Sequence, residues 1–270
     1  MDNCLIIIPT HSSYIDICMN FMEVLCRRWT ECKYKIIFAV FGEKTNCQYE
    51  NYIFCEKAKN LPDCIKEIKN MYASEFYMIF LGDAFFTKKV EDKQVRDLLS
   101  NLKKDNIQYC SLIPKKSREK IVKSKGGYRF INYKDRYSHS FIAFIVTGKY
   151  LDSEFKNGES DDDFETKYLL NALNNENIDK YYKNDVVLTE DLFGILPGIT
   201  KGKWDRVSYW KLRRLYPDIE FAYREKITVK LQIIIQLRKL IIAFLPNDIR
   251  KQMKRFLSKF VEKKTFDLDV

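Results

Sequence analysis

The chain has 270 residues, enough for one large α/β core with an appendage, and 46% of them are apolar with 14% aromatic, which excludes a disordered or low-complexity protein. The formal net charge of +10 is unevenly held: residues 201–270 carry 18 Lys and Arg against 8 Asp and Glu, leaving the first 200 residues balanced at 29 of each. That asymmetry asks for an anionic partner for the tail, either a membrane surface or nucleic acid.

Eight cysteines are scattered without a C-x-x-C pair, and only two histidines are present, so zinc-ligand spacing is excluded and reduced thiols of a cytoplasmic protein are expected. The start, Met1-Asp2-Asn3, lacks the basic region of a secretory signal. No stretch reaches the roughly 18 unbroken apolar residues of a spanning helix. The closest, 227–245, is interrupted by Lys230, Gln232, Gln236, Arg238 and Lys239.

Residues 4–8 read as an all-apolar strand, which Pro9 ends because it lacks an N–H donor. Thr10, Ser12 or Ser13 can cap the following helix, whose apolar positions Tyr14, Ile17, Cys18, Phe21, Met22, Leu25 and Trp29 fall at helical spacing. A strand over 35–41 then runs into Gly42 and Glu43, which completes a βαβ unit. Pro62 begins a helix with Ile65, Ile68 and Tyr72 on one stripe. The apolar run 76–81 stops at Gly82 and Asp83, the pattern of a strand buried on both faces of a parallel sheet. In open α/β sheets ligands gather outside the carboxyl ends of the strands. Asp83 is therefore either a plain loop start or an acid set to hold a metal-bound diphosphate.

An amphipathic helix follows over 91–104, then a strand over 107–113 stopped by Pro114, then a basic surface loop over 115–127. Strands over 128–132 and 140–146 flank a polar segment that ends in His139, either a ligand contact or a structural histidine. Ser160 caps a helix that opens Asp161-Asp162-Asp163-Phe164-Glu165. Acids in a first turn are favoured by the helix dipole, but four in five residues exceed what capping needs. Lys201 and Lys203 around Gly202 are placed to embrace phosphates, and Trp204 either stacks on a base or sugar or fills the core. Two helices close the chain, over 227–245 and from 249 onward. The last sets Ile249, Met253, Phe256 and Phe260 against Arg250, Lys251, Lys254 and Arg255, as an interfacial helix at an anionic bilayer does.

In this order, Pro9-Thr10-His11-Ser12-Ser13, the 77–86 segment with Gly82-Asp83, the Asp162-Asp163-Phe164-Glu165 helix start and Lys201-Gly202-Lys203-Trp204 resemble bacterial GT-A-type glycosyltransferases of surface polysaccharide (capsule or lipopolysaccharide) synthesis, over residues 3–220. The resemblance implies a GT-A-like α/β/α sandwich with a mostly parallel central sheet, placed over 1–225; the basic tail of amphipathic helices over 226–270 is read from its own charge and spacing. It implies that Pro9, Thr10 and His11 contact the nucleotide of a nucleotide-sugar donor, with Glu43 near the base or ribose. Asp83 matches the first acid of the metal motif, and Lys201, Lys203 and Trp204 are further expected donor contacts, with His139 either another such contact or a structural histidine. The second acid of that motif is replaced by Ala84 and Phe85, so a Mn or Mg ion would depend on Asp83, the diphosphate and water. Lys201, Lys203 or Arg136 would otherwise neutralise the leaving diphosphate. The base that takes the acceptor hydroxyl proton is expected at Glu165, then Asp163 or Asp162.

The expected protein is a peripheral glycosyltransferase on the cytoplasmic face of the cell membrane. It would move sugar to a glycan or glycolipid acceptor and bind the anionic membrane surface through 226–270, with no nucleic-acid partner. The alternatives are a non-catalytic binding or scaffold protein on a degenerate transferase fold, a nucleic-acid-associated α/β protein, and a nucleotide-binding α/β enzyme such as a nucleotidyltransferase, which would call for a second phosphate-site acid or a Gly-rich loop.

Overall fold

The computed structural model describes residues 3–44, 49–114, 124–125, 127–133, 139–156, 158–174 and 181–244. The expected basic loop over 115–127 falls largely outside the described residues, as do Arg136 and the expected last helix beyond 249.

The chain builds one nine-stranded sheet between two layers of helices. Its strands are β1 (Cys4–His11), β2 (Lys35–Phe41), β3 (Tyr52–Phe54), β4 (Phe76–Phe80), β6 (Tyr109–Ser111), β7 (Ser124–Lys125), β8 (Tyr128–Asn132), β9 (Ala143–Thr147) and β10 (Tyr181–Leu188), in the spatial order β3-β2-β1-β4-β9-β6-β10-β8-β7. Within it β8 and β9 run against the other strands, so the sheet is mostly parallel, as expected. A short side sheet pairs β5 (Ala84–Phe86) with β11 (Ile195–Pro197), and β12 (Ile199–Thr200) forms a hairpin with β13 (Lys203–Trp204).

Both faces of the sheet are covered, and β1 shows why its sequence is continuously apolar. Ile6 and Ile8 point into one core with Phe21, Trp29, Phe38 and Met78, while Leu5 and Ile7 point into another with Ile37, Ile65 and Ile79. The first core is closed by α1 (Ile15–Arg28), α3 (Asp92–Lys104) and α6 (Arg206–Leu215). The second is closed by α2 (Leu61–Met71), α4 (Gly148–Glu154) and α5 (Asp161–Asn174). Each fully buried Ile or Leu contributes about 1.5–3 kcal/mol, so β1 is among the most strongly held segments of the chain.

One sequence-based boundary is corrected. β1 does not stop at Pro9 but continues to His11, with Pro9 opposite Ala39 and His11 opposite Phe41 of β2. Pairing of β1 with β4 ends earlier, at Ile7 opposite Ile79. Pro9 lies past that point, where the strands part and its missing N–H costs no ladder bond on the β4 side.

This parting is the feature that positions the site. The chain leaves β1 through α1 on one face of the sheet, and α2 returns it to β4 on the other face. A crevice opens at such a reversal, at the carboxyl ends of the strands.

The last described helix, α7 (Val229–Phe244), is fastened to the body at its start. Ile227 N–H donates to the Trp204 carbonyl (3.0 Å), and Gln232 is buried against Asp205 with Nε2 3.0 Å from Oδ2. The expected division at 225/226 therefore falls inside a packed unit. Among the described residues no helix is long and apolar enough to cross a membrane.

Candidate active site

At the rim where β1, β2 and β4 end lies a cleft of about 440 Å³. Its walls are Pro9, Thr10 and His11 from β1, Phe41 from β2, Leu81, Gly82 and Asp83 after β4, Lys59, Asn60 and Leu61 at the start of α2, Asp161 at the start of α5, and Lys201 and Gly202 in the β12–β13 turn, with Tyr14, Ile17 and Ile199. Segments more than a hundred residues apart thus supply two carboxylates, two ammonium groups and an imidazole to one space.

Asp83 sits on the floor. Its Oδ2 accepts a hydrogen bond from Ile199 N–H (3.1 Å), and its carbonyl accepts from Gly198 N–H (2.9 Å). Burial pushes its carboxyl from the ordinary 3.8 up to about 6, partly offset by the Ile199 N–H. A carboxylate kept in so poor a solvent is poised to gain a cation or a proton. Its position depends on Gly82: a Cβ there would stand 2.8 Å from Cys18 Sγ and 3.0 Å from Cys18 Cβ, so only glycine lets the end of β4 lie this close to α1.

His11 closes one wall. Its Nδ1 accepts from Ser13 N–H (3.2 Å), which places the ring proton on Nε2, and the ring meets Phe41 edge-on at 5.1 Å. Gly42, at φ 98°, permits this packing, because a Cβ would meet His11 Nε2 at 2.6 Å. Ser12 Oγ accepts from Glu43 N–H (3.0 Å) and so ties the ends of β1 and β2 together.

The positive side of the cleft has two sources. Asn60 caps α2, with its side chain accepting from Asp63 N–H (2.8 Å), and this helix start, the positive end of the helix dipole, borders the cleft beside Lys59. Opposite, Lys201 (φ 50°) and Gly202 (φ 77°) form the two-residue turn that carries Lys201 to the cleft. Arg224 holds this turn in place. It pairs with Asp16 (Nε 2.8 Å), donates to the Ser13 and Gly202 carbonyls, and lies 4.7 Å over the Tyr14 ring.

The acidic start of α5 divides its labour in a way the residue order does not show. Asp161 lines the cleft, and burial, together with Asp162 and Asp163, raises its pKa above the ordinary value. Asp162 is exposed and outside the cleft lining. Asp163 is exposed and closes a capping box with Ser160, accepting from Ser160 N–H (2.9 Å) and Oγ (2.8 Å), which lowers its pKa. Glu165 faces elsewhere: its Oε1 accepts from Phe141 N–H (2.7 Å) and Ser140 Oγ (3.3 Å) and satisfies the backbone entering β9.

Among the expected donor contacts, Pro9, Thr10, His11, Asp83 and Lys201 share the cleft, and Glu43 lies exposed beside it. Three are placed elsewhere. Trp204 is a core residue, 1% exposed, with its indole N–H on the Ala222 carbonyl (3.0 Å) and its ring against Phe85 and Phe221. No face is left for a base. Lys203 pairs with Glu225 on the outer side of the hairpin. His139 is buried, stacked on Tyr168 at 3.6 Å, with Nε2 2.9 Å from Asp185 Oδ2. The residues missed in the sequence are Lys59, Asn60, Tyr14 and Asp161. Asn60 before Leu61-Pro62 carries a helix-start signal, but nothing local says that this helix start faces β4.

Among the described residues no three His, Cys, Asp or Glu stand together to hold a metal ion unaided. The seven described cysteines are free thiols.

No family model matches the chain. No curated protein matches it. Among solved structures it is similar to S. aureus TarS, at 14% identity over 82% of this chain and 41% of that one (TM-score 0.46). It is also similar to CMP:2-keto-3-deoxy-manno-octonic acid synthetase complexed with CTP, at 12% identity over 80% and 99% (TM-score 0.45). A third is a glycosyltransferase involved in the glycosylation of the major capsid of PBCV-1, at 12% identity over 56% and 62% (TM-score 0.32). The chain spans about two fifths of the length of the TarS chain and three fifths of the third. These are loose likenesses of architecture and identify no substrate.

Proposed function

We propose that this protein is a glycosyltransferase that uses a nucleotide-diphosphate sugar. The observation that carries the reading is the sharing of one cleft, at the carboxyl ends of parallel strands, by Asp83, Asp161, Lys59 and Lys201. A diphosphate needs positive charge around it, and the two lysines, with the positive end of the α2 dipole, offer it. The nucleoside end of the donor would lie along Pro9, Thr10 and His11, where His11 Nε2–H is a donor for a base or ribose oxygen.

In the transfer, the acceptor O–H loses its proton, the new C–O bond forms at the sugar carbon, and the bond to the diphosphate breaks with its electrons on oxygen. Asp161 is the better base for the acceptor proton than Glu165. It lines the cleft and its pKa is raised, whereas Glu165 is occupied by Phe141 N–H. Lys201 and Lys59 stabilise the leaving diphosphate.

A divalent cation fits this donor set with the substrate's help: hard oxygen ligands are present, and such ions are commonly held by one or two carboxylates plus phosphates. Asp83 would hold it, and the ion would supply charge neutralisation at the diphosphate. The acceptor in this reading is a surface glycan or its lipid carrier on the cytoplasmic side, supported by the basic, partly apolar end of the chain.

The test is a panel of nucleotide sugars read by thermal shift with and without Mn²⁺, followed by product analysis. Stabilisation by one donor, with release of the nucleoside diphosphate, is expected. Release of inorganic diphosphate would instead show nucleotidyl transfer. Full retention of donor binding in Asp83→Asn and in Lys201→Ala would remove the cleft from consideration.

A further inference from the structure

The surface formed by α6 and the start of α7 holds large apolar side chains that no described element covers. On α6, Val207 is 49% and Trp210 63% exposed. Val207, Trp210, Lys211 and Arg214 follow the i, i+3, i+4, i+7 spacing of one helix face, so a valine and an indole stand beside two cations. On α7, Val229, Ile233 and Leu237 are four residues apart and 58%, 53% and 44% exposed, with Lys230 next to them.

The two helices are joined by hydrogen bonds and a cation–ring contact. Arg206 N–H donates to Gln232 Oε1 (2.8 Å), Arg206 Nε donates to the Ile227 carbonyl (2.6 Å), and Lys226 Nζ lies 4.1 Å from the Tyr209 ring and 5.6 Å from the Trp210 ring. A single exposed apolar residue is ordinary, but five on two joined helices form a patch.

We infer that α6 and the first turns of α7 form a docking face for an anionic lipid bilayer, with Trp210 entering the headgroup layer. The charge argues for this occupant. Lys211 and Arg214 share a face of α6 with Trp210, Lys226 lies against the Trp210 ring, Lys230 follows Val229, and the entire basic excess of the chain lies in residues 201–270. Indole with aliphatic neighbours and flanking cations suits the boundary of an anionic membrane. Aliphatic side chains at Val229, Ile233 and Leu237 give a nucleic acid nothing to stack on or pair with. The surface lies on α6 as well as on the start of α7, and it stands whether or not the cleft transfers sugar.

The three tryptophans make the test direct. Trp29 and Trp204 are 1% exposed, so changes in quenching and in emission wavelength report Trp210. Full-length protein is mixed with phosphatidylglycerol-containing vesicles or with phosphatidylcholine vesicles alone. A shift to shorter wavelength, quenching by brominated lipid and co-sedimentation are expected with the anionic vesicles only. Trp210→Ser with Ile233→Ser should weaken co-sedimentation at least tenfold, and Lys211→Glu with Arg214→Glu should remove the preference for anionic lipid. Unchanged melting temperatures confirm that these variants fold. No response to either vesicle overturns the inference, as does an equal response to both. Shielding of Trp210 from acrylamide without lipid also overturns it, by showing that residues 245–270 or a second copy of the chain cover the face.

Discussion

Asp83→Asn should make the folded protein more stable at neutral pH while removing donor binding. Burial raises this carboxyl from 3.8 to about 6, so the folded state holds its proton more tightly than the unfolded state does. Asp83 therefore costs nothing below pH 3.8, and its penalty grows as pH rises and is complete above about 6. At 1.36 kcal/mol per tenfold change in proton affinity, the full cost is ~3 kcal/mol. Asparagine keeps an oxygen to accept the Ile199 N–H and carries no charge, so the contact survives and the penalty does not. Urea unfolding of both proteins should show the variant ahead by about 1 kcal/mol at pH 4.5 and ~3 kcal/mol at pH 8. A difference that does not change between those pH values, or a variant weaker at pH 8, would refute the burial argument. A site that retains such a penalty fits a residue kept for function at the expense of stability.

Four other outcomes are expected. Gly82→Ala forces β4 away from Cys18 and should cost about 1–3 kcal/mol with loss of donor binding, measured by denaturant unfolding and thermal shift. Asp161→Asn should lower kcat with little change in KM and remove the acidic limb of the pH–rate profile; an unchanged profile would exclude it as the base. Glu165→Gln keeps an acceptor for Phe141 N–H and should retain activity, whereas Glu165→Ala should lose about 1–3 kcal/mol in an unfolding titration. Asn60→Ala removes the α2 cap, costing ~1 kcal/mol in unfolding, and should raise the donor Kd by loosening the helix start at the cleft.

The sequence alone was enough for the central strands β1, β2 and β4 and their burial. Runs such as Leu5 to Ile8 and Tyr77 to Phe80 have no polar alternation, which requires helices on both faces, and Gly82-Asp83 marks a strand end whatever its neighbours are. Proximity was decided by the tertiary structure. The reversal of strand order at β1, between β2 on one side and β4 on the other, opened the crevice, and it brought the start of α2 to Asp83 although nothing in residues 59–61 points there. The same holds within one helical turn. Asp161, Asp162, Asp163 and Glu165 look equivalent on paper, but they point in different directions around α5, and only the packing against the sheet sends Asp161 to the cleft and Glu165 to the backbone just before β9. Trp204 was ambiguous for the same reason: an indole next to a phosphate-like turn suits a ligand or a core equally. The choice lay with Phe85 and Phe221, more than a hundred residues before it and seventeen after, which surround it on folding.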